Sequence, residues 1–337
     1  MKFRAILSLS IFTVVTMLSS SSFADEEETR QKHKDYEQPA AATETSSLPE
    51  KLNTQFSIGA LEGYDNNAFL NSSKKGDIFD QAFGDIVIRY MLTDNLNIKA
   101  IYDFMSITYH EQTSLSMLDN DIAGGFEYYI GENIKVEAGY DIDFIHYINN
   151  EESDLQTDGP FGGIRLYFDK GSYIGSKYRY KLYDYDERNI RLSGNRPSDT
   201  VREDHRHQII GEAQISREKL SIKAKNTFNI NDSNDEHMDY YDYWSNKIMG
   251  YITYNVDDKV FIMLNGGYQR KEYESREITT STAEQEDDLM ILGGGIYYQV
   301  SQKFYVNANY TYRQNYSNDP FQEYSGSVGT VGINCLF

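Results

Sequence analysis

The chain has 337 residues, a net charge of −20, one cysteine, five prolines, and 29 tyrosines against a single tryptophan. A charge of this sign and size excludes a nucleic-acid partner held by phosphate contacts, and a lone Cys335 excludes an intramolecular disulfide. The mean hydropathy of −0.62 excludes a helical membrane protein but not a membrane barrel, whose strands are apolar on one face only.

Residues 1–24 read as a secretory signal. Lys2 and Arg4 precede an apolar run too short to span a bilayer, and Ser22-Phe23-Ala24 supplies small residues at a cleavage site. No cysteine stands beside that site, which argues against a lipid anchor. Residues 25–52 are polar and poor in aromatics, so they are expected to form a flexible periplasmic extension. Residues 53–337 are expected to form the folded unit.

Within that unit, short turn signals recur about every 40 residues. They are Thr93-Asp94-Asn95, Gly131-Glu132-Asn133, Asp169-Lys170-Gly171, Arg217-Glu218-Lys219, Asp257-Asp258-Lys259 and Ser301-Gln302-Lys303. Longer polar segments without alternation separate them, at 65–79, 108–117, 148–157, 185–202, 232–240, 274–286 and 316–322. Six tight turns and seven long loops require about fourteen strands with both ends on one side. The fold expected is all-β: an antiparallel up-and-down transmembrane barrel with short periplasmic turns and long outer loops.

The strands alternate with period two. Ile134, Val136, Ala138, Tyr140, Ile142 and Phe144 oppose Lys135, Glu137, Gly139, Asp141 and Asp143. Leu220, Ile222, Ala224 and Phe228 oppose Ser221, Lys223, Lys225 and Thr227. A soluble sandwich also alternates, but its polar face would not need so many charges. The tyrosines suit aromatic girdles at the membrane surfaces. Paired glycines at 124–125, 162–163, 266–267 and 293–295 are read as bulges or points of curvature. The chain closes on Val331, Ile333, Cys335 and Phe337, and an aromatic last residue on such a strand resembles the signal read by the barrel-assembly machinery.

Catalytic chemistry is not legible. There is no Gly-x-Ser-x-Gly elbow and no cofactor motif. His205-Arg206-His207 puts two imidazoles on one strand face without further placed ligands, so no metal site is assigned. Asp232-Ser233-Asn234-Asp235-Glu236 lacks the glycine and terminal glutamate of a calcium loop. The informative set is the inward face. Arg165, Lys177, Arg179, Lys181, Lys223, Lys225 and Lys247 form a basic side. Asp103, Glu127, Glu137, Asp141 and Asp143, with Asp85, Arg89, Lys99 and Lys135, form a mixed-to-acidic side. Such a wall either sets up a transverse field across the lumen or closes into ion pairs that stiffen it. The lumen is expected to be narrow and water-filled, constricted by loop 185–202 with Arg188, Arg191 and Arg196.

Phe56-Ser-Ile-Gly-Ala-Leu-Glu-Gly63-Tyr64-Asp65-Asn66-Asn67-Ala68-Phe69 resembles the opening of the β-barrel porin 2 type family. The resemblance is local at the front and architectural beyond it. It implies an outer-membrane protein associated with exopolysaccharide or capsule production, and it brings no catalytic residues. The expectation is a Gram-negative outer-membrane channel passing polysaccharide or oligosaccharide, in contact with lipid and lipopolysaccharide and with export components. Two rivals stand beside it. One is a structural or adhesive barrel with a blocked lumen. The other is a barrel enzyme, which would need a serine or aspartate beside His205 or His207.

Overall fold

The computed structural model describes residues 51–71, 74–150, 153–169, 171–192, 196–235 and 239–337, the side chains of 187, 191, 192, 196 and 197 excepted. The signal segment and almost all of the extension expected from the sequence lie outside these residues. Fourteen strands follow in order. They are β1 (Leu52–Asp65), β2 (Asp77–Thr93), β3 (Leu96–Tyr109), β4 (Met117–Ile130), β5 (Ile134–Tyr147), β6 (Leu155–Asp169) and β7 (Ser172–Leu192), then β8 (Arg196–Ser216), β9 (Leu220–Ser233), β10 (Tyr243–Asn255), β11 (Val260–Glu277), β12 (Glu284–Ser301), β13 (Phe304–Ser317) and β14 (Tyr324–Leu336). One 3-10 turn, Thr113–Leu115, interrupts the connection from β3 to β4.

Each strand pairs antiparallel with its neighbour in sequence, and β1 pairs with β14 from Ser57↔Leu336 to Asp65↔Val328, closing the barrel. Six short connections fall at the six turn sites read from the sequence. Taking that end as periplasmic puts both ends of the strand run there.

Closure sorts the side chains. Ile58, Ile88, Ile122, Phe126, Ile164, Ile209, Ile252, Leu264, Leu292, Ile296 and Val331 are exposed on the outer wall. An apolar belt of this extent around a whole barrel has lipid as its solvent. Outward tyrosines with polar partners mark its upper edge: Tyr102 donates to Asn120 (2.8 Å), Tyr310 to Ser327 (2.9 Å), and Tyr140 and Tyr268 to Asp158 and Asp288. This is where an aromatic ring with one wet end is stable. The chain is a transmembrane β-barrel of the outer-membrane type.

Two expectations are corrected. The paired glycines are not bulges: the ladders run through Gly124-Gly125, Gly162-Gly163, Gly266-Gly267 and Gly293-Gly294-Gly295 without a shift. Gly125 and Gly139 face each other inside the barrel, where a Cβ on Gly125 would stand 2.5 Å from the Ala138 carbonyl oxygen. Their role is close approach. Residues 185–202 are not a loop either. β7 and β8 run to 21 residues each and stay paired at Asn189↔Val201, Arg191↔Pro197 and Leu192↔Arg196. Both faces of that hairpin are polar beyond the belt, so the period-two signal vanishes although the strand continues.

Gly159 gives a test of the close-approach reading. A Cβ there would overlap the backbone carbonyl of Tyr180. Gly159→Ala is expected to cost about 1–3 kcal/mol by overpacking, read as a lower urea midpoint by Trp244 fluorescence. Gly211→Ala, whose added Cβ meets nothing within 4 Å, should leave the midpoint unchanged.

Candidate functional site

The inward residues of fourteen strands build the candidate site, and the two halves of the lumen are built differently. In the periplasmic half, most charges pair across one or two strands. Arg89 Nε lies 2.8 Å from Glu127, and Lys135 Nζ lies 3.1 Å from Glu127 and 2.8 Å from Glu137. Lys177 Nζ reaches Glu137 at 3.3 Å and also lies 3.9 Å over the Phe161 ring. Arg179 and Lys181 both hold Asp141, each at 3.2 Å. Arg165 donates to Glu212 through Nε at 3.0 Å, and Lys223 approaches the same carboxylate at 3.7 Å. Asp143, Lys225 and Lys247 are buried on the same face. Asp103 faces inward by register yet is exposed, so the lumen beside it is open to water.

The twelve residues named from the sequence stand on one face of their strands by register and pairing. The basic side is not a free stripe. Where β5 meets β6 and β7, acids and bases hold one another. Farther along the wall, Asp85, Asp103 and Asp121 stand on β2–β4 and Lys225 and Lys247 on β9 and β10.

The outer half is packed. Leu61, Phe79, Ile107, Met117, Ile145, Leu155, Leu289, Ile291 and Val328 point inward and form one buried cluster. Ala68 and Leu70 from the β1–β2 connection and Leu115 from the 3-10 turn join it. Asn67 ties that connection down: its Nδ2 donates to the Asn71 carbonyl (2.9 Å) and the Ser325 carbonyl (3.0 Å). Beneath it Arg313 and Asp65 form an ion pair at 2.6 Å with both side chains 0% exposed.

Beside the apolar cluster, cations alternate with tyrosines. Arg202 lies between Tyr185 (4.5 Å) and Tyr241 (3.8 Å), and Arg206 between Tyr183 (4.4 Å) and Tyr243 (5.3 Å). Lys271 lies over Tyr243 (3.9 Å) and Tyr273 (4.6 Å). Sequence reasoning missed this stack because it read 185–202 as a loop. Arg202, Asp204 and Arg206 at every second residue were the available signal.

Buried apolar and aromatic side chains occupy the outer end of the narrow lumen expected from the sequence. The constriction is also differently built. Arg188 lies 5.6 Å over Tyr185 in the hairpin, while the side chains of Arg191 and Arg196 are outside the described set.

His205 and His207 sit on the outer wall. Tyr180 and Tyr178 hydroxyls bond His205 (2.6 Å) and His207 (2.7 Å), and His205 lies 3.3 Å from Glu203. Asp232 stands opposite His205 in register. Among the described residues no serine hydroxyl is bonded to either imidazole, and no three His, Cys, Asp or Glu are close enough to hold a metal ion.

No family model matches the chain and no curated protein matches it. The resemblance of residues 56–69 therefore rests on those residues alone. Solved structures with a similar outline include OmpT, an outer-membrane protein of Vibrio cholerae (12% identity, TM-score 0.47, 86% of this chain and 99% of that one). A Pseudomonas aeruginosa FadL homologue is similar at 11% identity and TM-score 0.45, over 85% of this chain and 90% of that one. A bacterial polysaccharide outer membrane secretin is similar at 12% identity and TM-score 0.42, over 84% of this chain and 97% of that one. Likeness at this level carries nothing about what the barrel does.

Two outcomes test the site. Asp65→Asn removes the carboxylate paired with the buried Arg313, and is expected to cost about 3–5 kcal/mol in urea unfolding from lipid. In the outer connection before β10, burial pushes the Asp242 carboxyl up to about 6, opposed by the Ser233 N–H it accepts at 2.7 Å. The folded state then holds this proton more tightly than the unfolded chain, so stability falls as pH rises from about 4 to about 6. Asp242→Asn should flatten that part of a pH series of unfolding midpoints.

Proposed function

We propose that the barrel is an outer-membrane channel for saccharide chains, closed at its outer mouth in this conformation. The observation that carries the reading is the water-accessible, charge-lined lower lumen, marked by Asp103 exposed on an inward face. A closed barrel meant only as a scaffold gains nothing from facing so many charges into its bore. Fourteen strands lie between the filled eight-stranded barrel and the open channel of sixteen or more, so side chains decide whether the bore is open. Acids on β2–β5 and bases on β7–β10 give the lumen a transverse field, which orients polar solutes.

Saccharides are supported by the chemistry of the upper stack. Tyrosine faces suit the C–H faces of sugar rings, and the guanidinium groups between them suit hydroxyl and carboxylate oxygens. The resemblance at residues 56–69 supports export of exopolysaccharide as the direction. Lipopolysaccharide, the barrel-assembly machinery at Phe337, and export components are proposed partners.

The apolar cluster favours a second reading, a structural or adhesive barrel that stays shut. Planar-bilayer recording separates the two. Wild-type protein should give small, infrequent openings, and Leu70→Ser or Leu115→Ser should raise conductance several-fold by loosening the outer packing. If both variants fold and remain silent, the sealed barrel is right. In conducting protein, replacing Lys177, Arg179 and Lys181 together by alanine removes the two bases that hold Asp141 and one of the two that hold Glu137. The reversal potential should then move toward cation selectivity; an unchanged value would show that wall charges do not govern passage.

A further inference from the structure

The inward wall changes character around the barrel. On β2–β9 its periplasmic half carries acids and bases, among them Asp85, Glu137 and Lys223. On β11–β13 that half carries amides, hydroxyls, glycines and apolar groups, and among the described strand residues no charge faces the bore there. Register sets Asn265, Gly293 and Thr311 in one line across these three strands. Leu264, Leu292 and Tyr310, their neighbours in sequence, are exposed on the outer wall, so the line faces inward.

A Cβ on Gly293 would stand 2.6 Å from Asn265 Oδ1 and 2.9 Å from Thr311 Oγ1. Two polar side chains thus lean from neighbouring strands over a residue that has none, and the three form a niche in the wall. Thr311 is 0% exposed, and its Oγ1 has no hydrogen-bond partner among the described residues; nor has Asn265 Nδ2. Buried polar groups in this state cost free energy, and a group that both donates and accepts relieves them. Asn265 and Gly293 are themselves half-buried, so the niche opens to the bore. It lies one inward position to the periplasmic side of Ile291, where the packed outer cluster ends on β12. One step farther down, Asn309 Oδ1 leans over Gly295 in the same way. That oxygen accepts from the Tyr297 hydroxyl (2.7 Å), and Asn309 Nδ2 donates to Asn307 Oδ1 (2.8 Å), which fixes both amides on the wall.

We propose that this wall, with the niche over Gly293 at its upper end, is a subsite for an uncharged saccharide chain. It rests on the channel reading above and narrows the cargo to neutral chains. A sugar hydroxyl can donate to Asn265 Oδ1 and accept from Thr311 Oγ1 at once, whereas a carboxylate only accepts and an ammonium only donates. A charged sugar would also give up water against three strands that offer it no counter-charge. Thr311, Asn309 and Asn307 stand at every second position of β13. With a rise of about 3.3 Å per residue and a tilt of about 40°, they recur about every 5 Å along the bore, close to the length of one sugar unit. Successive rings therefore meet the same wall chemistry.

The test uses the full barrel in nanodiscs and isothermal titration with maltohexaose, cellohexaose, mannohexaose, a uronate hexamer and a glucosamine hexamer. At least one neutral hexamer should bind. Thr311→Val keeps the shape of the side chain and removes its hydroxyl, and should weaken that binding about fivefold to tenfold, the loss of one hydrogen bond. Gly293→Ala fills the niche and should weaken it at least as much; heat-modifiable gel mobility checks folding, and if the alanine variant does not fold, Thr311→Val carries the test. Neither charged hexamer should show binding that Thr311→Val weakens. Thr108→Val, exposed on the outer wall, should change nothing. Failure of all three neutral hexamers to bind overturns the proposal. So does a charged hexamer that binds as tightly and loses affinity in Thr311→Val. Unchanged affinity in the folded variants overturns it as well, since the niche then serves water only. Conducting bilayers without hexamer binding would refute the subsite and leave the channel, whereas silent bilayers with binding retained would refute passage and leave the subsite.

Discussion

Closure of the backbone ladder between β1 and β14 is the constraint on which everything else depends. In hydrocarbon each unpaired N–H or C=O costs several kcal/mol, so an open edge nine residues long could not persist. The seam is completed at its periplasmic end by Phe337, whose N–H donates to the Phe56 carbonyl (2.8 Å) while its ring stacks on Phe56 at 5.6 Å. Closure fixes register, and register fixes which residue of each pair is wet. A slip of one residue would carry Lys223 and Lys225 to the lipid face, at about 2–4 kcal/mol for a base at mid-bilayer. The chemistry of the lumen is therefore a consequence of the ladder.

Given a cylinder of this bore, the interior has to be filled or flooded, and this chain does both. The periplasmic half holds its lysines against carboxylates, Lys135 on Glu127 and Glu137 and Lys181 on Asp141. The packed half uses arginine where no water remains: Arg202, Arg206 and Arg313 are the largest fully buried side chains. Guanidinium is planar and weakly hydrated, so it can be sandwiched by tyrosine faces and still donate sideways. Arg206 does both, with Tyr183 and Tyr243 beside its plane and Asn231 Oδ1 accepting at 3.0 Å. Tyrosine consequently serves two environments. Tyr102, Tyr140 and Tyr310 belong to the outer girdle, whereas Tyr183, Tyr185, Tyr243 and Tyr273 are interior.

The strand count, the six tight turns and the inward face were legible because they depend on nearest-neighbour alternation. What alternation does not encode is what meets across the bore. Lys177 and Glu137 are 40 positions apart and touch only after two hairpins close. The outer plug was also hidden. Ile145 follows Phe144, and Leu289-Met290-Ile291-Leu292 is apolar on both faces, so these stretches read as weakened strands instead of as strands filling an interior. At 185–202 the opposite failure occurred. Above the lipid both faces are polar, and a paired hairpin looks like a loop.

The same geometry explains why paired charges and charges grouped by sign coexist in one wall. Neutralisation happens at the border, where β5 faces β6 and β7 and a lysine or arginine reaches a carboxylate one or two strands away. Asp121 on β4 lies three strands from Lys181 on β7, about 14 Å along the wall, and Asp103 lies four strands away. A side chain does not bridge that distance along the sheet, so the acids and the bases stay grouped on different strands. Across the lumen, Lys225 and Lys247 occupy the corresponding centre on the other side. Charge segregated over several strands survives local pairing, whereas the same residues strictly alternating around the barrel would have cancelled at every seam.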